Sequence, residues 1–261
     1  MRDPPVIHPT AIVHPKATIG EGAEIGPFCV VGEHVTIGAR AYLVAHVVVN
    51  GHTTIGEDSK IHPFCSIGAP SQDRKKAPGE TAYTTIGSRT EIREYVSIHR
   101  ATGDGETTAV GDDTLLLAYV HIAHNCKVGN HVTMSSTAQL AGHVVVEDHV
   151  TIGGQTGVHQ FVRIGEFAMV GGISKITRDV PPYFLVEGNP ATPYGLNKVG
   201  LRRAEFTPEI VAELKECYTM LYRSGHNISQ AAEAMRPIVK SERGQHLLAF
   251  ISAPTERGIV K

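Results

Sequence analysis

The chain has 261 residues, 41% of them apolar, enough for a sizeable buried core. Its formal charge of -2, with acidic and basic residues interspersed and no long basic run, excludes a nucleic acid backbone as an expected partner. The opening "MRDPPVIHPT" lacks the apolar centre of a signal peptide, and the longest apolar stretch, "LVAHVVV", is too short to span a bilayer, so a cytoplasmic protein without a membrane span is expected.

From the first residues the chain keeps a six-residue rhythm. Aliphatic side chains recur at Ile7, Val13, Ile19, Ile25, Val31, Ile37, Leu43, Val49, Ile55, Ile61 and Ile67, resume at Ile86, Ile92 and Ile98, and run from Val110 to Ile176. From Ala11 onward the residue two before each aliphatic is small or valine, so both point to one face of a short strand. Glycine often follows the aliphatic, as in "IGEGAEIGPF", where a tight corner is expected. Three strands and three corners make an eighteen-residue coil, and stacked coils pair strands at about 4.8 Å per turn. The class is mainly β: a parallel β-helix over residues 1–190. Cys29, Cys65 and Cys126 fall on the small inward position, and with Cys217 show no paired spacing, so four reduced thiols and no metal site are expected.

Two stretches break the rhythm, at 68–85 and 99–109, and are expected to leave the coil as loops that can carry function. The first holds Gln72, Asp73 and Lys75. After Ile176 the prolines and glycines of "DVPPYFLVEGNPATPYG" are expected to end the coil. Residues 191–261 read as a small C-terminal helical domain, with Thr207 as N-cap, Pro208 in the first turn and Gly225 as a stop, followed by helical pieces around "ISQAAEAMRPIVK" and "GQHLLAFI".

Fifteen histidines invite over-reading. His34, His46, His52, His131, His143 and His149 share the third place after the aliphatic, which marks that place as tolerant coil surface. His121 and His124 occupy different phases and bracket one corner. Stacking by eighteen aligns residues 124, 142 and 160, with His143 and His159 alongside. His121, His124, His143, His159, Gln160 and the bare backbone of Gly142 therefore converge on one patch. A neutral imidazole can take a proton from a hydroxyl, and an open backbone N–H can hold an oxyanion. Acyl transfer to an alcohol fits, by direct attack, because no Gly-x-Ser-x-Gly elbow is present.

The ordered set "SQDRK", "HIAHNC", "LAGHV", "GVHQF", "MVGG", "DVPPY" and "GNPATPYGLN" closely resembles the UDP-N-acetylglucosamine 3-O-acyltransferases, which open lipid A synthesis. The resemblance implies a left-handed coil and a homotrimer with sites between subunits. It implies transfer of a 3-hydroxyacyl chain from acyl carrier protein to the 3-hydroxyl of UDP-N-acetylglucosamine, with no cofactor. By the same resemblance His124 is the general base and Gly142 the oxyanion donor, while His121, His143, His159 and Gln160 line the sugar nucleotide pocket. Asn197 and Arg203 would hold the UDP end, the guanidinium suiting phosphate. Gln72, Asp73 and Lys75 would reach in from a neighbouring subunit, and Met169 and Gly172 would set acyl length, with glycine leaving room for a long chain. Asn125 stands where an aspartate is common, Val199 where some relatives are acidic, and Pro190 where some have histidine. Other readings stay open: an amino sugar as acceptor, a zinc enzyme akin to γ-type carbonic anhydrases using His121, His124 and His143, or an inactive scaffold for carrier protein.

Overall fold

The computed structural model describes residues 3–73 and 79–261. Two-residue strands set by the aliphatic rhythm stack in parallel into three sheets, of eleven, nine and eight strands among the described residues. We number the faces by their first strands: Val6–Ile7 opens the first, Ile12–Val13 the second and Thr18–Ile19 the third. The aliphatic residues point inward and form one continuous core with the small residues between them, including Cys29, Cys65 and Cys126. Burial pushes the Cys65 and Cys126 thiols up to about 12, so they stay protonated and unreactive. Val6, Ile7 and Ile12 are exposed because no coil lies beneath the first turn.

The corners explain the tolerant places. Most corner residues sit in the left-handed region although they are not glycine: His46, His131, His143 and His149 have φ of 53°, 55°, 61° and 60°. Histidine is among the residue types that enter this region more readily. The glycines after the aliphatics serve a different end from the one expected. At Gly56 a Cβ would come within 2.5 Å of backbone atoms of Gly87 and Ser88 in the next coil, and φ is ordinary there, so close stacking rather than chain reversal requires the glycine. The coil is a left-handed parallel β-helix.

Both insertions leave the coil over shorter spans than the break in rhythm suggested. Strands Ser66–Ala69 and Tyr83–Ile86 recover the flanks of the first, and Ser97–His99 and Thr107–Val110 those of the second. The loops are tied to each other: Thr81 N–H donates to Asp104 (3.0 Å), and Gly103 N–H to Glu80 (3.0 Å).

At the top, the coil continues beyond the expected stop. Strand Phe184–Gly188 pairs in parallel with Met169–Val170, and Ala191–Leu196 returns against it as a hairpin. Four helices follow: α1 (Lys198–Arg203), α2 (Pro208–Tyr222), α3 (Ile228–Met235) and α4 (Glu242–Ser252). Thr207 caps α2 with Pro208 in its first turn, as its sequence dictates. A second core, with Tyr183, Phe184, Leu214, Cys217 and Leu247, joins these helices to the last coil. The chain end then folds back, with Asp179 fully buried between Arg163 (2.8 Å) and Thr255 (2.7 Å). Among the described residues no helix is long and apolar enough to cross a membrane.

Candidate active site

His124 lies at the corner between the second and third faces, after strand His121–Ile122 and before Lys127–Val128. Its Nδ1 is 3.0 Å from the Asn125 side-chain oxygen. That oxygen also accepts from Thr102 N–H (3.0 Å), while the Asn125 amide nitrogen donates to the Thr102 carbonyl (3.0 Å), so the orientation of the amide is fixed by its partners. An oxygen cannot donate. In the neutral tautomer Nδ1 therefore carries the proton, and Nε2 is the nitrogen with a free lone pair.

Nε2 leans over the coil above, toward Gly142. A Cβ on Gly142 would stand 2.5 Å from this nitrogen, so only glycine lets the ring occupy the place. Among the described residues the Gly142 N–H has no hydrogen-bond partner. A nitrogen able to accept a proton thus lies beside a free N–H donor.

Two further histidines, His121 and His143, form a neutral surround. His121 is largely buried, with Nδ1 2.8 Å from Ser97 Oγ and its ring edge against His99 (4.8 Å). Burial first, and His99 second, lower its imidazole to about 4. Burial and then His124 lower His143, which meets His124 edge-on at 5.1 Å and stacks on Phe161 at 4.7 Å. At neutral pH these two rings are uncharged. His159 is exposed, its Nδ1 3.2 Å from the Gln160 carbonyl, and that carbonyl accepts from Arg257 (2.8 Å). His121 and His159 share a surface trough of about 420 Å³ on the second face. Among the described residues no three His, Cys, Asp or Glu side chains are grouped to hold a metal ion.

In the first insertion, Asp73 lies 3.9 Å from His124 Nε2 of its own chain. Gln72 is exposed beside it, and Lys75 falls outside the described residues. Met169 and Gly172 lie on the first face and on the corner between the first and second faces. Asn197 and Arg203 lie by the remaining corner, where the Asn197 amide donates to the Phe167 carbonyl (2.9 Å) and accepts from Gly200 (3.0 Å) as the cap of α1. The Asn197 side chain is thus committed to the fold, whereas Arg203 is exposed at the end of α1. One chain brings together His121, His124, Gly142, His143 and Asp73, and keeps the acyl-length and UDP-end candidates on other corners. Sequence reading missed Thr102, Ser97 and His99, because the insertions change the coil-to-coil offset from eighteen residues to twenty-three or twenty-four.

Residues 179–260 match the family model described as Udp N-acetylglucosamine O-acyltransferase, Domain 2, and residues 16–51 match the bacterial transferase hexapeptide. A relative from Synechocystis sp., named acyl-(acyl-carrier-protein)–UDP-N-acetylglucosamine O-acyltransferase, is 45% identical over 247 residues, covering 95% of this chain and 89% of its own length. The solved structure of LpxA from Acinetobacter baumannii is 40% identical with a TM-score of 0.94, over 98% of this chain and 100% of that one. The Francisella novicida UDP-N-acetylglucosamine acyltransferase structure is 36% identical with a TM-score of 0.95, over 98% and 94%. With fold shared and sequence alike over nearly the whole of both chains, the chain belongs to the UDP-N-acetylglucosamine O-acyltransferase family.

Proposed function

We propose that this protein transfers a 3-hydroxyacyl chain from acyl carrier protein to the 3-hydroxyl of UDP-N-acetylglucosamine, the first step of lipid A biosynthesis. The observation that carries the mechanism is the amide-fixed ring of His124. Its Nε2 takes the proton of the sugar hydroxyl as that oxygen attacks the thioester carbonyl. The Gly142 N–H stabilises the tetrahedral oxyanion. Collapse breaks the carbon–sulfur bond, and the thiolate leaves with the proton held by His124. No covalent enzyme intermediate is needed.

His121 and His143, as neutral rings, and Asp73, beside the base, hold the sugar hydroxyls, with Gln72, His159 and Gln160 at the rim. Arg203 takes the UDP end, placed by the Asn197 cap, and Met169 with Gly172 sets chain length, the missing side chain favouring a long acyl group. These groups lie at three corners of the β-helix and on strands beside them. A homotrimer would place the corners of neighbouring subunits together, and it is the assembly we infer. A cytoplasmic location suits both substrates.

The test is incubation of purified protein with UDP-N-acetylglucosamine and a set of 3-hydroxyacyl carrier proteins, followed by mass spectrometry. A sugar nucleotide heavier by one 3-hydroxyacyl group is expected. No product with any donor, and product only with the 3-amino analogue, would overturn the hydroxyl acceptor.

A further inference from the structure

The corner that carries His124 and Gly142 is held by a backbone ladder whose step is nineteen residues. The His124 carbonyl accepts from His143 N–H (3.0 Å), and the Gly142 carbonyl accepts from Phe161 N–H (3.2 Å). The next rung of that ladder would join the Gln160 carbonyl to Asp179 N–H. The coil ends there instead: Asp179 N–H donates to the Gly258 carbonyl (2.8 Å), and Val260 N–H returns to the Asp179 carbonyl (2.9 Å). The chain end thus lies across the top of the corner as a strap, and the Gln160 carbonyl has lost its backbone donor. A side chain of the strap takes that place. Arg257 Nε donates to the Gln160 carbonyl (2.8 Å), and its guanidinium lies 5.9 Å from the centre of the Phe161 ring.

One peptide is therefore held from both ends. Its oxygen, on Gln160, accepts from Arg257, and its N–H, on Phe161, donates to the Gly142 carbonyl. A charged donor on the oxygen polarises the peptide and strengthens the bond that its N–H makes. Phe161 has a φ of 65°, a region that bulky side chains seldom enter, so the peptide ahead of it gains from being fixed. Beyond that bond lies Gly142, whose own N–H is the free donor beside His124. A donor aimed at a developing oxyanion is effective when it is held in place before the reaction begins.

We propose that Arg257 is a positioning residue for acyl transfer: it caps the corner ladder at Gln160 and so fixes Gly142 beside the base. This rests on the acyl-transfer reading above. Arg257 acts through one peptide rather than on the substrate. The strap keeps its other anchors without the guanidinium, since Thr255 Oγ1 donates to Asp179 (2.7 Å) and the two backbone bonds with Asp179 do not involve the side chain.

The experiment compares wild type with Arg257→Met, which keeps a stem over Phe161 but no donor, and with Arg257→Lys, which keeps a charged donor. Arg257→Met is expected to lower kcat about tenfold, the scale of one hydrogen bond to a charged group. KM for the sugar nucleotide and for the acyl carrier donor is expected to stay within about twofold, and the melting temperature within about 3 °C. Arg257→Lys is expected to hold kcat within about threefold of wild type. A raised KM for the sugar nucleotide at unchanged kcat would make Arg257 a binding group and overturn the assignment. So would a loss of kcat that lysine does not recover, or kinetics that do not change. Amide hydrogen exchange reads the ladder without turnover. In Arg257→Met the Phe161 amide is expected to exchange about tenfold faster, while the Gln155 amide, which makes the same nineteen-residue step to Ser136 on another corner, keeps its wild-type rate. Faster exchange confined to Phe161 supports the cap even if the acyl-transfer reading fails, and unchanged exchange contradicts it.

Discussion

One corner of this coil carries two pairs of histidines with different fates. His34 and His52 stack flat on each other, ring centroids 4.2 Å apart and planes 3° apart, on a half-exposed edge. Higher on the same corner, His124 meets His143 edge-on at 89°, its Nδ1 held by Asn125 and its Nε2 over Gly142. Phase and backbone differ between the levels, since His124 is the second residue after its aliphatic and His34 and His52 the third, and His143 has a φ of 61°. The insertions add further company to the upper pair: Thr102 from the second fixes the Asn125 amide, and Asp73 from the first closes on His124. A regular coil repeats its corners, and a departure from regularity gives one imidazole fixed partners.

The comparison is broken most directly by removing the rings. His124→Ala is expected to lower kcat by ~10²–10⁴, the usual worth of general-base catalysis. His52→Ala, on the lower pair, is expected to leave kcat unchanged and stability within ~0.5 kcal/mol. Comparable losses from both would erase the distinction. Next in size is Gly142→Ala, whose methyl would occupy the place of the His124 ring. Displacement by about 1 Å is expected to cost roughly 10²-fold in kcat, with an unchanged melting temperature separating this from misfolding. Thr102→Val removes the hydroxyl bond to Asn125 (3.1 Å) but keeps the backbone ties, so a loss of about tenfold, near the worth of one hydrogen bond, is expected in kcat/KM.

The smallest effect lies outside the site and sharpens the contrast by showing a histidine used for stability. His246 on α4 bridges Glu147 (3.1 Å) and Glu166 (3.5 Å), which raise its imidazole from 6.5 to about 9. A raised folded value means that the stabilisation is complete below about 6.5 and is lost as pH rises through about 9. Wild type is therefore expected to melt above His246→Gln at pH 6, with the gap closing by pH 9.5. A gap independent of pH would assign the difference to packing instead.

Periodicity made the coil readable, because the inward residue must be aliphatic at every turn or the core opens to water. Thr207 and Pro208 announced α2 by capping chemistry that acts over a few residues. The hairpin Phe184–Gly188 and Ala191–Leu196 was not readable, since its prolines and glycines look like a stop and only the waiting edge of Met169–Val170 makes Phe184–Gly188 a strand. In the site, His121, His124, Gly142 and His143 followed from stacking by eighteen. Thr102 did not, because its contact with Asn125 spans twenty-three residues across an insertion whose length nothing local reveals. Asp73 could be listed as a candidate, while its approach to His124 of its own chain depends on how both loops brace each other.

The claim that an amide-fixed neutral ring is the base is tested most directly by the pH dependence of kcat/KM for wild type and Asn125→Asp. A carboxylate beside Nδ1 favours the protonated imidazole. The account predicts that the acid limb of the profile moves to higher pH in the variant while the shape of a single ionisation is kept. An acid limb that stays where it is in wild type would mean that His124 is not the group whose deprotonation the reaction requires.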